Sequence, residues 1–414
     1  LYDKRNQVSF VSQGIISYLA GQKSVLFQSS YSSVEELKEA GLNMQMETVI
    51  KEIDTNHKKV FYRRNNSKKT KVTDYDKLIL ATGSYPAMTS VPFDKKSNLY
   101  FLKSMEDAIK AEEFLATAKN IAVIGGGMTG VEVARITQDR GIQTTLIHRN
   151  KNLLNDYLDE PASRLLESWM NAEGTRLLLN TEVTEISVDG ENTVVQTANG
   201  QKIAVDGVIF TIGFRPNSYL LNQQVELGDR GAVVVDEYMQ TSCPDVFAVG
   251  DVSTTYVNLL EENRYLPHAS DAVRDGEIAA INLLEARQKI TSTQGTYHVP
   301  MKNLVMAMTG ITMKQAVDFG YDADAVHLLN EHLEGRLPSN VWMIYERRTH
   351  QILGLQCIGK TSDMAEYVNI FSLAIQQQLR IEDIEFTDFY FEHGYKDPRG
   401  FNRILARLVR ENER

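Results

Sequence analysis

The chain has 414 residues and a formal net charge of −10, with 43% hydrophobic and 24% charged residues. These are values of a globular protein, and a chain of this length is expected to form two or three domains. The acidic balance argues against nucleic acid or an anionic membrane as the main partner, since both select clustered Lys and Arg. No apolar run approaches the roughly 18 residues of a membrane span. We therefore expect a soluble, cytoplasmic enzyme of several domains.

The first hundred residues mix short strands with a helix. A capped helix is predicted over residues 33–41, a strand over 60–63, and a buried strand over 77–83 that stops at a glycine. Prolines and serines over residues 84–98 indicate a crossing between domains.

The middle of the chain has the pattern of a parallel α/β unit. Apolar strands alternate with a helix in the order strand 121–124, helix 129–140, strand 144–147 and strand 207–213. A further strand over 245–251 and a helix over 270–286 follow. From about residue 296 the pattern becomes antiparallel, with strands at 341–345 and 351–357 and a helix near 364–378.

One glycine-rich motif carries chemistry. Gly125-Gly126-Gly127-Met128-Thr129-Gly130 follows a strand and opens a helix. In this context Gly125 permits a tight turn, Gly127 lets the backbone approach a pyrophosphate, and Gly130 allows close packing of helix and strand. The free N–H groups of the helix N-terminus bind phosphate oxygens. The motif predicts dinucleotide binding, against the alternative of a glycine-rich packing turn.

The residues after the second strand of this unit bear on nucleotide choice. An acid that binds the ribose 2′-OH of NAD normally stands there, whereas this chain has His148-Arg149. Both side chains can attract a 2′-phosphate, the guanidinium through two hydrogen bonds. This favours NADPH, and the alternative is that both residues are solvated and the cofactor is NADH.

At this point the sequence resembles a known family, the flavin-dependent pyridine nucleotide-disulfide oxidoreductases. It is most similar to the branch that holds NADH oxidase, NADH peroxidase and coenzyme A disulfide reductase. The resemblance covers nearly the whole chain and rests on the order and spacing of segments 75–84, 125–132, 213–217, 241–251, 266–274 and 309–312. His148-Arg149 and the strand before them look most like the coenzyme A disulfide reductases, which accept NADPH.

The family fold implies an α/β architecture with two Rossmann-like domains and a C-terminal α+β dimerisation domain. The expected division is FAD domain 1–100, NAD(P) domain 101–214, FAD domain continued 215–295, and dimerisation domain 296–414. The glycine loop of the FAD domain would lie upstream of Leu1. We therefore expect the chain to be N-terminally truncated and to bind FAD weakly as it stands.

The resemblance also implies roles for single residues. Asp3 would bind the FAD ribose, the backbone at Ile50 would touch adenine, and Asp251 would bind the ribityl chain. Ala269 would face the flavin pyrimidine, and Glu132 would lie near the nicotinamide. Further nucleotide contacts are expected at Ala81, Thr82, Gly83 and Gly213.

The chain departs from the family at the redox-active cysteine. That cysteine belongs in the segment that here reads Ser9-Phe10-Val11-Ser12-Gln13-Gly14, where Gln13 takes its place. An amide forms no thiolate, sulfenic acid or mixed disulfide. We interpret the two cysteines of the chain, Cys243 and Cys357, as inert buried thiols.

The C-terminal segment 388–398 corresponds to the stretch that crosses the dimer into the partner's active site. Tyr395 and His393 could therefore meet substrate there, or this segment is dimer core with a polar edge. The remaining histidines show no spacing of a metal site.

These observations predict an FAD-dependent NAD(P)H oxidoreductase. The nicotinamide would deliver hydride to the flavin, and without a thiol at Gln13 the electrons would pass to a small acceptor, with dioxygen favoured. One alternative is a thiol-dependent disulfide reductase or peroxidase, and another is a non-catalytic nucleotide-binding relative. The expected partners are the small acceptor and a second copy of the chain, with no nucleic acid and no membrane.

Overall fold

The computed structural model describes residues 1–12, 14–30, 32–87, 90–302, 304–330, 339–359, 364–388 and 401–413. Three short helices lie near the start, namely α1 (Gly14–Leu19), α2 (Lys23–Gln28) and α3 (Val34–Glu39). The predicted helix over 33–41 is confirmed as α3. Ser33 and Glu36 form its capping box, because each side chain bonds the other's backbone N–H.

The first nucleotide-binding part combines two sheets. An antiparallel sheet holds β1 (Thr48–Asp54), β2 (Lys59–Arg64) and β3 (Lys71–Asp74). Beside it, β4 (Leu78–Leu80) runs parallel to β15 (Val246–Ala248), with Leu80 paired to Ala248. Because the strands are parallel, their carboxyl ends meet at one edge. That edge carries residues 81–83 and 250–251, which lie far apart in sequence.

The second nucleotide-binding part is a five-stranded parallel sheet. Its spatial order is β6 (Leu99–Phe101), β13 (Gly207–Phe210), β7 (Asn120–Ile124), β8 (Gln143–Ile147) and β9 (Arg176–Leu178). Three helices belong to this part: α4 (Met105–Leu115), α5 (Met128–Asp139) and α6 (Glu160–Ala172). A small antiparallel sheet consists of β10 (Val183–Asp189), β11 (Asn192–Thr197) and β12 (Lys202–Val205). Residues 121–123 of β7 are fully buried, as its continuous apolar run predicts.

The chain passes between these two parts along a paired ribbon. β5 (Ser84–Pro86) and β14 (Phe214–Pro216) run antiparallel, with Ser84 paired to Pro216. The pairing brings Ser84, the first residue of the predicted crossing over 84–98, beside Pro216. A hairpin of β16 (Thr255–Val257) and β17 (Glu262–Arg264) precedes helix α7 (Ala269–Asn282). The domain boundaries at 100, 214 and 295 stay predictions.

The C-terminal part is a five-stranded antiparallel sheet, as its sequence pattern predicts. The spatial order is β18 (Tyr297–Met301), β19 (Leu304–Gly310), β22 (Ile352–Gly359), β21 (Ser339–Glu346) and β20 (Ala323–Asn330). Helices of this part are α8 (Met313–Asp318), α9 (Met364–Gln376), α10 (Ile381–Glu385) and α11 (Phe401–Asn412). Strand β22 is buried along its whole length, because sheet and helices enclose it.

The helix expected over 270–286 ends earlier, at Asn282. The side-chain oxygen of Asn282 accepts hydrogen bonds from the backbone N–H groups of Arg287 and Gln288, at 2.8 and 3.0 Å. These bonds turn the chain away from the helix axis. Across the described ranges, no helix has the length and apolar character needed to cross a bilayer.

Candidate cofactor-binding sites

The three glycines of the motif differ in what surrounds them. A Cβ at Gly125 would lie 2.4 Å from the carbonyl oxygen of Thr211, and Gly125 has a φ of +117°. A Cβ at Gly130 would lie 1.8 Å from the carbonyl oxygen of Gly125. A Cβ at Gly127 would meet no protein atom within 4 Å. Gly125 and Gly130 are therefore required by packing, whereas Gly127 borders open space that a pyrophosphate would fit.

The N-terminus of α5 is available to an anion. Gly127 is its N-cap residue, and no side chain caps the helix there. The first N–H groups of a helix have no partner within the helix and favour negative charge. The open space at Gly127 and this helix end together fit the diphosphate of a dinucleotide.

His148 braces the glycine loop. Its Nδ1 accepts a hydrogen bond of 3.0 Å from the N–H of Gly126, and its Nε2 lies 3.1 Å from Oδ1 of Asn155. An imidazole that accepts at Nδ1 and donates at Nε2 is neutral. Burial also lowers the pKa of His148. These contacts tie His148 to the loop and favour its neutral form, whereas Arg149 is exposed. The roles of both residues toward a 2′-phosphate stay predictions.

Glu132 lies half-buried on α5, one turn into the helix. Burial raises the pKa of its carboxyl to about 7, and the charge of Arg135 opposes this shift only partly. The carboxyl is therefore close to half-protonated at neutral pH. Such a group can donate or accept a hydrogen bond, and its place beside the nicotinamide stays a prediction.

Residues 82 and 83 are hydrogen-bonded to Asn217, the residue that follows β14. The N–H of Asn217 donates to the carbonyl of Gly83 at 2.8 Å, and the hydroxyl of Thr82 donates to the carbonyl of Asn217 at 2.8 Å. Gly83 and Gly213 have φ of +64° and +94°, and a Cβ on either would meet no protein atom within 4 Å. The Thr82–Asn217 contact joins the end of β4 to the residue that follows β14. Roles of Ala81, Thr82, Gly83 and Gly213 toward a nucleotide stay predictions.

Asp251 holds a polar cluster at the same edge. Its Oδ2 accepts a hydrogen bond of 2.7 Å from the hydroxyl of Ser84 and forms an ion pair of 2.7 Å with Nζ of Lys103. The ammonium of Lys103 also lies 4.6 Å from the ring centre of Phe214. The sequence analysis did not single out Lys103. Its position in the sequence could have indicated it, because Lys103 lies between the end of β6 and Ser104, the N-cap residue of α4.

Asp275 is a second residue that the sequence analysis missed. Its Oδ2 accepts a hydrogen bond of 3.1 Å from the N–H of Gly250, and the residue is only 2% exposed. Burial raises the pKa of this carboxyl to about 7. The bond fixes the turn that presents Asp251.

Helix α7 begins at Ala269, the residue that is expected to face the flavin. Ala269 is its first residue, and the N-cap residue His268 makes no side-chain capping bond. The ring of His268 instead packs edge-on against Tyr297, with ring centres 4.9 Å apart. The helix end at Ala269 is thus not closed by its own cap, which fits the expected role toward an electron-rich ring.

Asp3 and Ile50 lie in the region expected for adenosine. The carboxylate of Asp3 accepts a hydrogen bond of 2.8 Å from the N–H of Arg5, and Asp3 borders a cavity of about 190 Å³. Ile50 pairs with Tyr62 across β1 and β2. Neither contact tests binding, so both assignments stay predictions.

The predicted catalytic residues Gln13 and Tyr395, and also His393, lie outside the described residues. Cys357 is fully buried in β22, and burial raises the pKa of its thiol strongly. Cys243 is half-buried and lies before the first residue of β15, whereas Asp251 lies after its last residue. The two residues are therefore at opposite ends of this strand. The interpretation as a buried thiol is therefore right for Cys357 and only partly right for Cys243.

Comparison with protein families identifies the chain. A family described as pyridine nucleotide-disulphide oxidoreductase matches residues 4–276, and the dimerisation domain of the same family matches residues 298–391. The chain belongs to the pyridine nucleotide-disulphide oxidoreductase family. The predicted family, the α/β fold class and the oxidoreductase class are confirmed.

Individual relatives agree with this assignment. A protein named NADH oxidase from Enterococcus faecalis is 32% identical over 100% of this chain and 93% of its own length. An NAD(P)H coenzyme A polysulfide/persulfide reductase from Pyrococcus horikoshii is 26% identical over 90% of this chain and 84% of its own length.

A solved structure supports the same architecture. The water-forming NADH oxidase from Lactobacillus brevis, bound to NADH, superposes with a TM-score of 0.95 at 29% identity. The match covers 99% of this chain and 92% of that protein.

Proposed function

We propose that the protein is an FAD-dependent NAD(P)H oxidoreductase that passes electrons to dioxygen. The observation that carries the proposal is the 2.7 Å ion pair between Lys103, which follows β6, and Asp251, which follows β15, because it joins the two predicted nucleotide-binding parts. The glycine loop lies at the edge of one parallel sheet, Asp251 lies at the edge of the other, and the Phe214–Pro216 strand pairs with β5 between them. Two cofactors held at these edges would have their reactive rings close to the ribbon.

This chain's residues would do the binding and orienting. FAD, when bound, accepts hydride from a reduced nicotinamide and gives its electrons to an acceptor. The N–H groups at the start of α5 would hold the dinucleotide phosphates, with Gly127 leaving room for them. Asp251 would accept hydrogen bonds from the ribityl hydroxyls, and the ion pair with Lys103 would hold its carboxylate in place. Glu132, whose carboxyl can donate or accept a hydrogen bond near neutral pH, would lie near the nicotinamide.

The number and positions of the cysteines favour dioxygen as the electron acceptor. The chain has two cysteines. Cys357 is inert because it is fully buried, and Cys243 lies at the end of β15 that is opposite to the end carrying Asp251. Gln13 stands where the family has its redox-active thiol. Relatives named NADH oxidase agree with this assignment. We further propose a homodimer, because the dimerisation domain of the family matches residues 298–391. A cytoplasmic location is proposed from the sequence expectation.

The second candidate is a thiol-dependent reductase of disulfides or persulfides. The Pyrococcus relative favours it, and Gln13 speaks against it. A third candidate, a nucleotide-binding protein without activity, would bind dinucleotide without transferring hydride.

The decisive experiment is an anaerobic titration of the purified protein, supplied with added FAD because weak FAD binding is expected, with NADPH and with NADH. Bleaching of the yellow flavin absorbance, followed by its recovery in air, is the expected result. A flavin that stays oxidised under excess of both nucleotides would overturn the proposal. Bleaching without recovery in air, but with recovery on adding coenzyme A disulfide, would favour the second candidate.

Two matched glycine variants test the site itself. Gly127 has a φ of −79° that alanine adopts freely, so Gly127→Ala should fold like the wild type. Its methyl group would occupy the open space, and we expect the variant to lose dinucleotide binding. Gly130→Ala should instead fail to fold normally, because its Cβ would clash with Gly125. Normal nucleotide affinity in Gly127→Ala would place the dinucleotide elsewhere.

A further inference from the structure

Asp159 precedes α6 as its N-cap residue but does not cap that helix. Aspartate at this position normally accepts a hydrogen bond from the next turn of its own helix. Here the carboxylate accepts bonds of 3.0 and 3.1 Å from the N–H of Met313, the first residue of α8. It also accepts a bond of 2.7 Å from the side-chain amide of Gln356. Asp159 therefore caps a helix that belongs to another part of the molecule.

Gln356 completes the arrangement from the centre of the C-terminal sheet. It lies on β22 and is 2% exposed. Its Oε1 accepts a bond of 2.9 Å from the N–H of Asp159, and its Nε2 donates to the Asp159 carboxylate. A buried amide with both ends paired is costly to separate. We call Asp159, Met313 and Gln356 the interdomain latch.

The segment just before the latch is bound to the glycine loop. Its Leu154 donates its N–H to the carbonyl of Gly126 at 2.9 Å, and its Asn155 contacts the His148 ring that accepts the N–H of Gly126. Both backbone groups of Gly126 are thus held by this segment and by His148. A Cβ at Gly126 would lie 2.6 Å from Leu153, so the packing is also tight.

We propose that the interdomain latch is a positioning device for the dinucleotide site. It fixes the end of segment 149–158, the segment fixes Gly126, and Gly126 lies between the two glycines that shape the phosphate site. Docking of the C-terminal sheet is thereby coupled to nucleotide affinity. The inference rests on the proposed function, since it needs a dinucleotide at the glycine loop. Asp159 and Gln356 act only through other residues.

The test begins with Gln356→Met, which keeps side-chain length and removes both amide bonds. We expect the Kd for NADPH and for NADH to rise by the same factor, about tenfold, as is usual for coupled sites. The rate of flavin reduction at saturating nucleotide should not change, because the latch touches neither cofactor. Hydrogen exchange at the amide of Leu154 should become faster.

A rescue experiment separates positioning from general stability. Gln356→Glu would set two carboxylates against each other and should weaken nucleotide binding further. Adding Asp159→Asn to it restores complementary groups, because the new amide can donate to Glu and accept from the N–H of Met313. The double variant should bind nucleotide more tightly than Gln356→Glu alone. Asp159→Asn by itself keeps one acceptor and serves as the mildest variant if the others fold poorly.

Thr312→Ala is the matched control. Thr312 caps α8 through a bond from the N–H of Gln315, inside the C-terminal part, so the variant loosens the same helix without touching Gln356. Its Kd for nucleotide should rise much less than that of Gln356→Met, because both bonds between Asp159 and Gln356 remain. Wild-type affinity in the folded Gln356→Met and Asp159→Asn proteins, or an equal loss in Thr312→Ala, overturns the latch. Failure of the wild type itself to bind dinucleotide would instead overturn the proposed function.

Discussion

His148 accepts, through Nδ1, a hydrogen bond of 3.0 Å from the backbone N–H of Gly126, the middle glycine of the dinucleotide loop. The sequence analysis gave His148 and Arg149 one shared role, the attraction of a 2′-phosphate. This contact indicates a different role for His148, which is to hold the glycine loop in place. His148 is a neutral brace of the loop, and Arg149 remains an exposed cation after β8. The two residues should therefore respond differently to substitution.

Arg149→Ala should weaken NADPH binding by about 1.5–3 kcal/mol, the value of a lost charge-assisted hydrogen bond. NADH binding should hardly change, because NADH lacks the 2′-phosphate. Calorimetric titration of the protein with both nucleotides measures the difference. Equal losses for the two nucleotides would show that Arg149 does not contact the phosphate.

His148→Ala is expected to weaken NADH and NADPH alike. The substitution removes the acceptor for Gly126 and leaves Asn155 without its imidazole contact, so the loop loses its brace. The same titrations apply. A loss confined to NADPH would mean that His148 binds the phosphate after all.

Gln13 should determine the product of oxygen reduction. Without a thiol, no sulfenic acid can form for the further step to water, and we expect release of hydrogen peroxide. A peroxide assay with catalase as the control measures the yield per NAD(P)H consumed. Gln13→Cys should divert part of the electrons to thiol chemistry. Wild-type turnover to water without free peroxide would contradict this, and it would also bring the protein closer to the water-forming Lactobacillus relative.

Glu132 should make the free energy of unfolding depend on pH. Its pKa is about 7 in the folded protein, against about 4.3 in an unfolded chain. The folded state holds the extra proton between these values, so this group's contribution to stability falls as pH rises through that interval. Glu132→Gln removes the effect. We expect it to be more stabilising near pH 8 than near pH 5, by roughly 2 kcal/mol.

Denaturant unfolding of Glu132→Gln and wild type at both pH values measures that difference. Asp275 also has a pKa raised to about 7 and contributes a parallel dependence in both proteins. Only the difference between the two proteins therefore reports on Glu132. A difference that does not change with pH would show that the carboxyl titrates normally.

His350 links the turn between β21 and β22 to α10 and to the residue that follows α11. Its Nδ1 forms a short contact with Glu382 of α10, and its Nε2 lies 2.9 Å from the carboxylate of Glu413 after α11. Burial alone lowers the pKa of His350, but the two carboxylates outweigh it and the pKa is raised. This stabilisation is complete below the unfolded pKa of about 6.5 and is lost as pH rises through the folded pKa.

His350→Gln should therefore cost about 1 kcal/mol of unfolding free energy at mildly acidic pH and much less at alkaline pH. Glu413→Gln should remove part of the same pH dependence of the unfolding free energy. The remote surface ion pair Lys314–Asp318 of α8 serves as a control, because its loss should not change that dependence. Thermal unfolding at both pH values reports the change. An equal cost at both would mean that the charge of His350 plays no part.

The element types and the glycine loop were predictable because they depend on local pattern. Continuous apolar runs indicated β7 and β13, the Ser33 box indicated α3, and glycine spacing indicated the loop. Periodicity and capping act over a few residues, so one stretch of sequence contains the whole signal. The resemblance then supplied the order of the parts.

The tertiary structure alone decided which side chains meet. Lys103 reaches Asp251 across 148 positions, and Asp159 reaches Gln356 across 197. Such partners are brought together by strand order and docking, which no local pattern encodes. The state of His148 was decided in the same way, because a neighbouring N–H and burial removed the charge that its residue type suggested. The sequence by itself thus determined the glycine loop at which we expect a dinucleotide, whereas packing determined which residues hold that loop in place.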